Sequence, residues 1–477
     1  MHVCFVSSEA VPFAKVGGLA DVASALPAAL RGLGHKVTLV LPFYRGTDPT
    51  ARSLARRLVP KQVACGPHAF PVDIFEGRLG TGVDVVLLRV PTLFEREGIY
   101  TSDPDEALRF AVLCRGALEV LAERETPVDI VHAHDWPAAL VPYYLARGMR
   151  QRPALAQARA LFTVHNIAHQ PLLGPDAMAG LGIEPADFHP DGVEFWGKVN
   201  LLKIGMKYAD RVSTVSPTYA AEIATEAGGC GLDGVVRSLP RPVAGILNGI
   251  DPHAWNPARD PHLPHAFGPE SLEGKFGCKM ALQRRVGLPI RPNTTLAVAV
   301  ARLVPQKGLD LVAAAAPRLL SGDAQLLVVG NGAPPIVEAF ERLAREEPER
   351  VKLVDGFDEE RAHLAYAGGD LFLLPSRYEP CGLTQLIAMR YGTVPVARRT
   401  GGLADTVIDL DNRLETGTGF VFDEADSAAL SGAFQRAISA RADRTAWMGL
   451  LERLMRLDHS WERSARMYDE LYRSMVA

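Results

Sequence analysis

The stretch Pro375-Ser376-Arg377-Tyr378-Glu379-Pro380-Cys381-Gly382-Leu383-Thr384-Gln385 carries the densest set of groups able to do chemistry. It follows the apolar run Leu371–Leu374, so Glu379 is a carboxylate delivered to a strand end. Gly382, Leu383 and Thr384 then open a helix, whose first N–H groups can face a phosphate or a sugar. A plain strand–turn–helix with a capping threonine has the same pattern. Cys381 has no partner base and reads as a small packing residue. A second loop, Arg302-Leu303-Val304-Pro305-Gln306-Lys307-Gly308, follows the buried run Thr295–Val300. Arg302 offers a planar fork and Lys307 a compact charge, which together could clamp a departing diphosphate. The alternative is a solvated basic loop ahead of a helix.

Lys15-Val16-Gly17-Gly18-Leu19-Ala20-Asp21 comes shortly after the first apolar run. Gly17 and Gly18 let a backbone approach a ligand closely. Lys15 could pair with phosphate and Asp21 could accept sugar hydroxyls; a tight turn with a solvated lysine is the other reading. The loop is not a dinucleotide G-x-G-x-x-G. His132-Ala133-His134-Asp135-Trp136 and His165-Asn166 each end a further run. The alternating histidines invite a metal, but no further ligands accompany them in the sequence. Polar groups beside Trp136 suit a sugar better, its ring on the indole and its hydroxyls on Asp135.

Short apolar runs alternating with amphipathic stretches must position these groups, and that alternation predicts βαβ units and parallel sheets. The first series is His2–Ser7, Lys36–Leu41, Val83–Val90, Asp129–His132, Ala160–His165 and Arg211–Val215. The second is Thr295–Val300, Gln325–Val329, Val351–Val354, Leu371–Pro375, Val394–Ala397 and Gly419–Val421. The expected fold class is α/β, with two doubly wound Rossmann-like domains meeting at a hinge near residue 250. Ligands in such sheets bind at the carboxyl ends of strands, so the active site is expected in the cleft between the two. The expected boundaries are 1–247, 248–460 and a C-terminal helix, 461–477. Segment 252–292, rich in Pro, His and Gly, reads as a linker or insertion. Gly17-Gly18-Leu19-Ala20-Asp21 recurs as Gly401-Gly402-Leu403-Ala404-Asp405, which suggests comparable glycine turns opening helices.

Bulk properties narrow the partners. A net charge of −4 over 477 residues gives no reason to expect nucleic acid or an anionic membrane, and a neutral polysaccharide suits it. The six cysteines form no C-x-x-C pair, so neither a zinc pattern nor a disulfide framework is indicated and a reducing cytoplasm is the expected compartment. The N-terminus lacks a basic region followed by a long apolar stretch and reads as a strand.

These motifs, in this order and spacing, resemble the bacterial glycogen synthases and plant starch synthases over nearly the whole chain. Lys15–Asp21, His132–Trp136, Phe162–Asn166, Ser216–Tyr219, Asn248–Asp251, Arg302–Leu311, Pro375–Gln385 and Arg398–Asp405 carry the resemblance. It implies the GT-B glycosyltransferase fold, with the C-terminal helix crossing back to the first domain. It also implies transfer of glucose from ADP-glucose to the non-reducing 4-hydroxyl of an α-1,4-glucan such as glycogen, with retention of configuration, release of ADP, and neither metal nor other cofactor. By the same resemblance Lys15, Gly17, Gly18 and Asp21 lie by the donor, Arg302, Lys307 and the amides at Gly382, Leu383 and Thr384 hold its diphosphate, and Cys381 lies among the substrate-binding residues. Asp135, His165 and Glu379 surround the reacting glucose, and Tyr100, Trp136, Asn166 and Asn248 contribute binding. Val16 stands where Thr is common in the family, and Pro137 where some members carry a second His. Ile387 occupies the position of a second Glu found in the broader class, which argues against sucrose- or lipid-directed relatives.

Overall fold

Runs such as Thr295–Val300 (TLAVAV) and Leu371–Leu374 (LFLL) have no polar alternation, as a parallel strand covered by helices on both faces requires. In the computed structural model, which describes every residue except Thr81 and Phe357, both lie in the middle of a sheet. The chain divides into two units, Met1–Asn248 with Trp461–Ala477, and Gly249–Ser460.

The second unit holds six parallel strands in the order Val351–Val354, Ala324–Val329, Thr295–Val300, Leu371–Leu374, Val394–Arg398, Phe420–Phe422. Strand order reverses between Thr295–Val300 and Leu371–Leu374. At that switch point the crossover helices diverge to opposite faces and leave a crevice beyond the strand ends. The first unit repeats the device. Seven parallel strands run in the order Ala244–Gly245, Arg211–Thr214, Arg159–Val164, Ile130–His134, His2–Val6, Lys36–Pro42, Val83–Arg89. Its switch point lies between Ile130–His134 and His2–Val6. The sheet continues through the antiparallel strand His68–Leu79, which pairs with Ala55–Arg56 and Lys61–Cys65. Polar residues at half-buried positions hide that hairpin from a search for apolar runs.

Helix Trp461–Val476 packs on helix Gly18–Gly32 and lays Trp461, Tyr468 and Tyr472 into the core of the first unit. Tyr472 reaches the sheet itself, its hydroxyl 2.8 Å from His132 Nδ1. No helix of the described residues is long and apolar enough to cross a membrane.

The reading of 252–292 as a linker is corrected. The segment contains helix Glu273–Val286, and Phe267, Leu272, Cys278 and Leu282 lie in the core of the second unit. Charged residues within the helix mask it because they face inward with their heads bonded. Lys275 Nζ lies 2.9–3.0 Å from the carbonyls of Ala367, Gly369 and Tyr391 and from Thr393 Oγ1. Lys279 Nζ lies 2.7 Å from Asp370 Oδ2.

Candidate functional site

In the second unit, both basic and acidic loops leave the strands that flank the switch point. Lys307 Nζ lies 2.6 Å from Glu379 Oε2, and Ser376 Oγ donates to the same oxygen at 3.0 Å. Glu379 is only 6% exposed, so its charge is held by these two groups rather than by water. Oε1 accepts no hydrogen bond from the described residues. The loops are laced together by Arg377, whose guanidinium forks onto Asp310 at 2.6 and 2.8 Å and donates to Pro305 O at 2.7 Å. Gly308 sits at φ +66°, and a Cβ there would meet Pro375 O at 2.0 Å, so the loops approach only because residue 308 has no side chain. A small cavity of about 70 Å³ at this point is lined by Lys307, Ser376 and Thr384 among apolar residues. Arg302 is exposed, and its guanidinium has no ion-pair or hydrogen-bond partner among the described residues.

Helix Thr384–Arg390 follows with Leu383 at its N-cap. The amides of Gly382, Leu383 and Thr384 precede the helical ladder and have no intrahelical acceptor. Gln385 Nε2 ties the turn by donating to Cys381 O at 3.0 Å and Gly382 O at 2.9 Å. Cys381 is buried, as a packing residue should be. Gly402 N donates to Glu379 O at 3.0 Å, and a Cβ on Gly402 would strike Cys381 O at 2.1 Å.

In the first unit, Asp135 follows strand Ile130–His134 with φ +54°, a conformation that costs a non-glycine residue about 1–3 kcal/mol. Two bonds hold it there: its N–H donates to Thr163 O at 2.9 Å, and its Oδ1 accepts His165 N at 2.7 Å. Burial pushes its carboxyl pKa up to about 7. His165 and His134 face each other, Nε2 to Nδ1 at 2.9 Å, so one ring must donate. Burial holds the His165 imidazole far below the usual histidine range, which keeps it neutral. His132 is fully buried between Tyr472 and Thr163, and so anchors the C-terminal helix rather than facing a ligand. Trp136 is half-buried, with Phe110 edge-on at 5.0 Å and Tyr100 at 6.2 Å. Asn166 Oδ1 accepts Ala168 N at 3.1 Å, and Asn248 Oδ1 is buried without a partner among the described residues.

The glycine loop differs from the expectation for it. Val16 N and Gly17 N both donate to Glu9 Oε2, at 2.5 and 3.0 Å, so two of its amides are already bonded. Gly18 begins the helix. Lys15 and Asp21, expected to face phosphate and sugar separately, pair with each other at 2.7 Å, both substantially exposed. Glu9 also receives the Tyr100 hydroxyl on Oε1 at 2.5 Å, and that hydroxyl lies 2.8 Å from Ser8 Oγ.

Each unit matches a known family of domains. Residues 2–238 match the starch synthase catalytic domain family and residues 283–448 the group 1 glycosyl transferases. A glycogen synthase of Anaeromyxobacter dehalogenans (strain 2CP-C) is 47% identical over 481 residues, covering 100% of both chains. The chain belongs to the glycogen and starch synthase family. A glycogen synthase of Geotalea daltonii is 41% identical over 100% of this chain and 99% of its own. The catalytic domain of starch synthase IV from Arabidopsis thaliana, bound to ADP and acarbose, superposes with a TM-score of 0.91 at 35% identity, covering 100% and 99% of the two chains. Sucrose-phosphate synthase from Thermosynechococcus elongatus shares the fold, with a TM-score of 0.64 at 20% identity over 99% and 98%.

As a member of this glycosyltransferase family, the chain carries one group that motif reading missed. Glu9 buttresses both the glycine loop and Tyr100. Its only signal was position, a carboxylate just past the first strand at a switch point. Ser376 was quoted within its motif without a role, and here it shares a Glu379 oxygen with Lys307.

Proposed function

We propose that the chain is a cytoplasmic glycogen synthase that transfers glucose from ADP-glucose to the non-reducing 4-hydroxyl of an α-1,4-glucan, with retention, releasing ADP. The observation that carries this reading is the juxtaposition at the second switch point. A free guanidinium, Arg302, shares a short loop with Lys307, and Lys307 is paired to a buried glutamate with one unoccupied oxygen. The starch synthase bound to ADP supports the choice of nucleotide.

In this reading the departing diphosphate carries the charge that needs stabilising, and Arg302 and Lys307 meet it as fixed cations. Amides at Gly382, Leu383 and Thr384 add neutral donors, with Cys381 packed beside them. A diphosphate competes with Glu379 for Lys307, which releases the carboxylate to accept glucose hydroxyls. Asp135, ionised above about pH 7, stabilises positive charge developing at the anomeric carbon. Neutral His165 orients the sugar through its ring or its carbonyl. Lys15, Gly17, Gly18 and Asp21 border the donor, and Tyr100, Trp136, Asn166 and Asn248 position sugar. Retaining glycosidases need two carboxylates about 5 Å apart, one acting as nucleophile. Here the phosphate oxygen of the leaving group takes the proton of the incoming hydroxyl as that hydroxyl attacks from the same face.

The test is nucleoside diphosphate release from ADP-glucose and UDP-glucose, with and without glycogen, in the presence of chelator. Glycogen-dependent ADP release that chelator leaves intact is expected. Release from neither donor would overturn the reading.

A further inference from the structure

The segment 252–292, which takes no part in the proposed chemistry, contributes one residue to a three-residue cluster whose other two lie on a helix in the middle of its unit's sequence. His262 lies against helix Glu359–Gly368, which carries Glu359 and His363 four residues apart and therefore on one face. One ring nitrogen of each histidine and a carboxylate oxygen of Glu359 all fall within 4.8 Å of one another. Their environments differ: His363 is buried, His262 half-buried and Glu359 exposed.

A supporting layer stands behind these three. His363 Nδ1 is 2.7 Å from Asp260 Oδ2, and Tyr391 donates its hydroxyl to the same oxygen at 2.5 Å. Asp260 Oδ1 accepts His262 N at 2.9 Å. Asp260 therefore positions both histidines at once. With its Nδ1–H given to a carboxylate, His363 keeps its lone pair on Nε2, the arrangement that orients and strengthens an imidazole ligand. Trp255 stacks on the His363 ring at 4.1 Å and closes its other side.

We propose that His262, Glu359 and His363 form a binding site for one divalent ion of the zinc class. Two imidazoles and one carboxylate suit zinc, nickel or cupric ions and disfavour magnesium and calcium, which take oxygen ligands. Three protein ligands leave a fourth position for water. Metal–ligand bonds of about 2.0–2.1 Å put ligand atoms about 3.3 Å apart, so the cluster must contract, and the exposed Glu359 side chain can make that movement. Bound metal would clip the loop around His262 to the start of helix Glu359–Gly368. The role is structural and separate from glucosyl transfer.

The experiment uses the full-length chain without an affinity tag, stripped by chelator and dialysed. Co²⁺ is titrated for ligand-field absorption, Zn²⁺ is measured by competition with a chromophoric chelator, and Cu²⁺ is followed by tryptophan fluorescence. One equivalent per chain is expected, with quenching that disappears in Trp255→Phe because Trp255 stacks on a ligand. His262→Ala and Glu359→Gln should each weaken Zn²⁺ at least about tenfold while leaving the metal-free melting temperature and activity unchanged. Substoichiometric binding overturns the proposal, as does an affinity that neither variant alters.

Discussion

Arg302→Ala and Lys307→Ala should both cripple transfer, yet differ in what they do to the fold. Removing one preorganised donor from a developing negative charge costs about 2.7–4 kcal/mol, or about 10²–10³ in kcat. The Arg302 side chain is exposed and has no partner among the described residues, so its truncation should change stability by no more than about 0.5 kcal/mol. Lys307→Ala instead strips Glu379 Oε2 of its cation and leaves only Ser376 Oγ on a carboxylate that is 6% exposed. A hydrogen bond to a charged group contributes about 1.5–3 kcal/mol, and because Lys307 keeps 23% of its side chain exposed the lower end applies. In a unit of this size that corresponds to a fall in Tm of roughly 3–6 °C. The assays are steady-state ADP release at saturating donor and thermal unfolding by circular dichroism. Wild-type kcat in Arg302→Ala would refute the clamp. Equal Tm values for Lys307→Ala and the wild type would refute the claim that Lys307 neutralises Glu379 in the resting enzyme.

Four further outcomes follow from the same geometry. Burial holds the Asp135 carboxyl at about 7 in the fold against 3.8 ordinarily, so kcat should fall as pH drops through about 7, and Asp135→Asn should be slow with that limb missing from its pH profile. The same shift has the fold binding a proton that the unfolded chain has lost, so this group's contribution to stability falls as pH rises from about 4 to about 7, measurable as a difference between wild type and Asp135→Asn in urea melts. Glu9→Ala frees the Val16 and Gly17 amides and the Tyr100 hydroxyl together, and should raise KM and accelerate hydrogen exchange at those two amides, whereas Glu9→Gln, still able to accept both, should be milder. Burial also lowers Lys275 to about 7 from 10.5, so the unfolded chain holds the extra proton between those values and stability should rise with pH across that window by up to about 1.4 kcal/mol per unit; denaturant titrations of Lys275→Met should show the rise flattened.

The strands flanking both switch points were legible because each is a short apolar run, and observed bounds differ from the expected ones by no more than two residues. The helix opened after Gly382 was legible from its local motif. Relations that depend on tertiary approach were not. Lys307 and Glu379 are 72 residues apart, so sequence gives each a charge but not their pairing. Glu9 acts through amides seven and eight residues on, reached only because the loop folds back over it. Helix Glu273–Val286 was hidden because its lysines face inward, where carbonyls solvate them, which inverts the usual meaning of charge in a helical pattern. The positive φ of Asp135 has no sequence signature, since bonds to Thr163 and His165, distant in sequence, help hold it.

The echoed Gly-Gly-Leu-Ala-Asp turns explain why the two halves of the enzyme use their glutamates differently. In each unit a glutamate past a switch-point strand caps the glycine turn that opens a helix. In the first unit the cap is a side chain: Glu9 Oε2 takes Val16 N and Gly17 N, Oε1 takes Tyr100, and both oxygens are engaged. In the second unit the cap is main chain: Gly402 N donates to Glu379 O, which leaves the carboxylate outside the turn. Its Oε2 then meets Lys307 and Ser376, and Oε1 stays open. A carboxylate already accepting two amides and a hydroxyl holds a loop and has little left for a sugar. One held at a single oxygen, by a cation that a phosphate can draw away, can do both in turn. That difference in backbone, more than the identity of the residue, leaves Glu379 an open oxygen in its unit and commits Glu9 to the glycine loop and Tyr100 of the other.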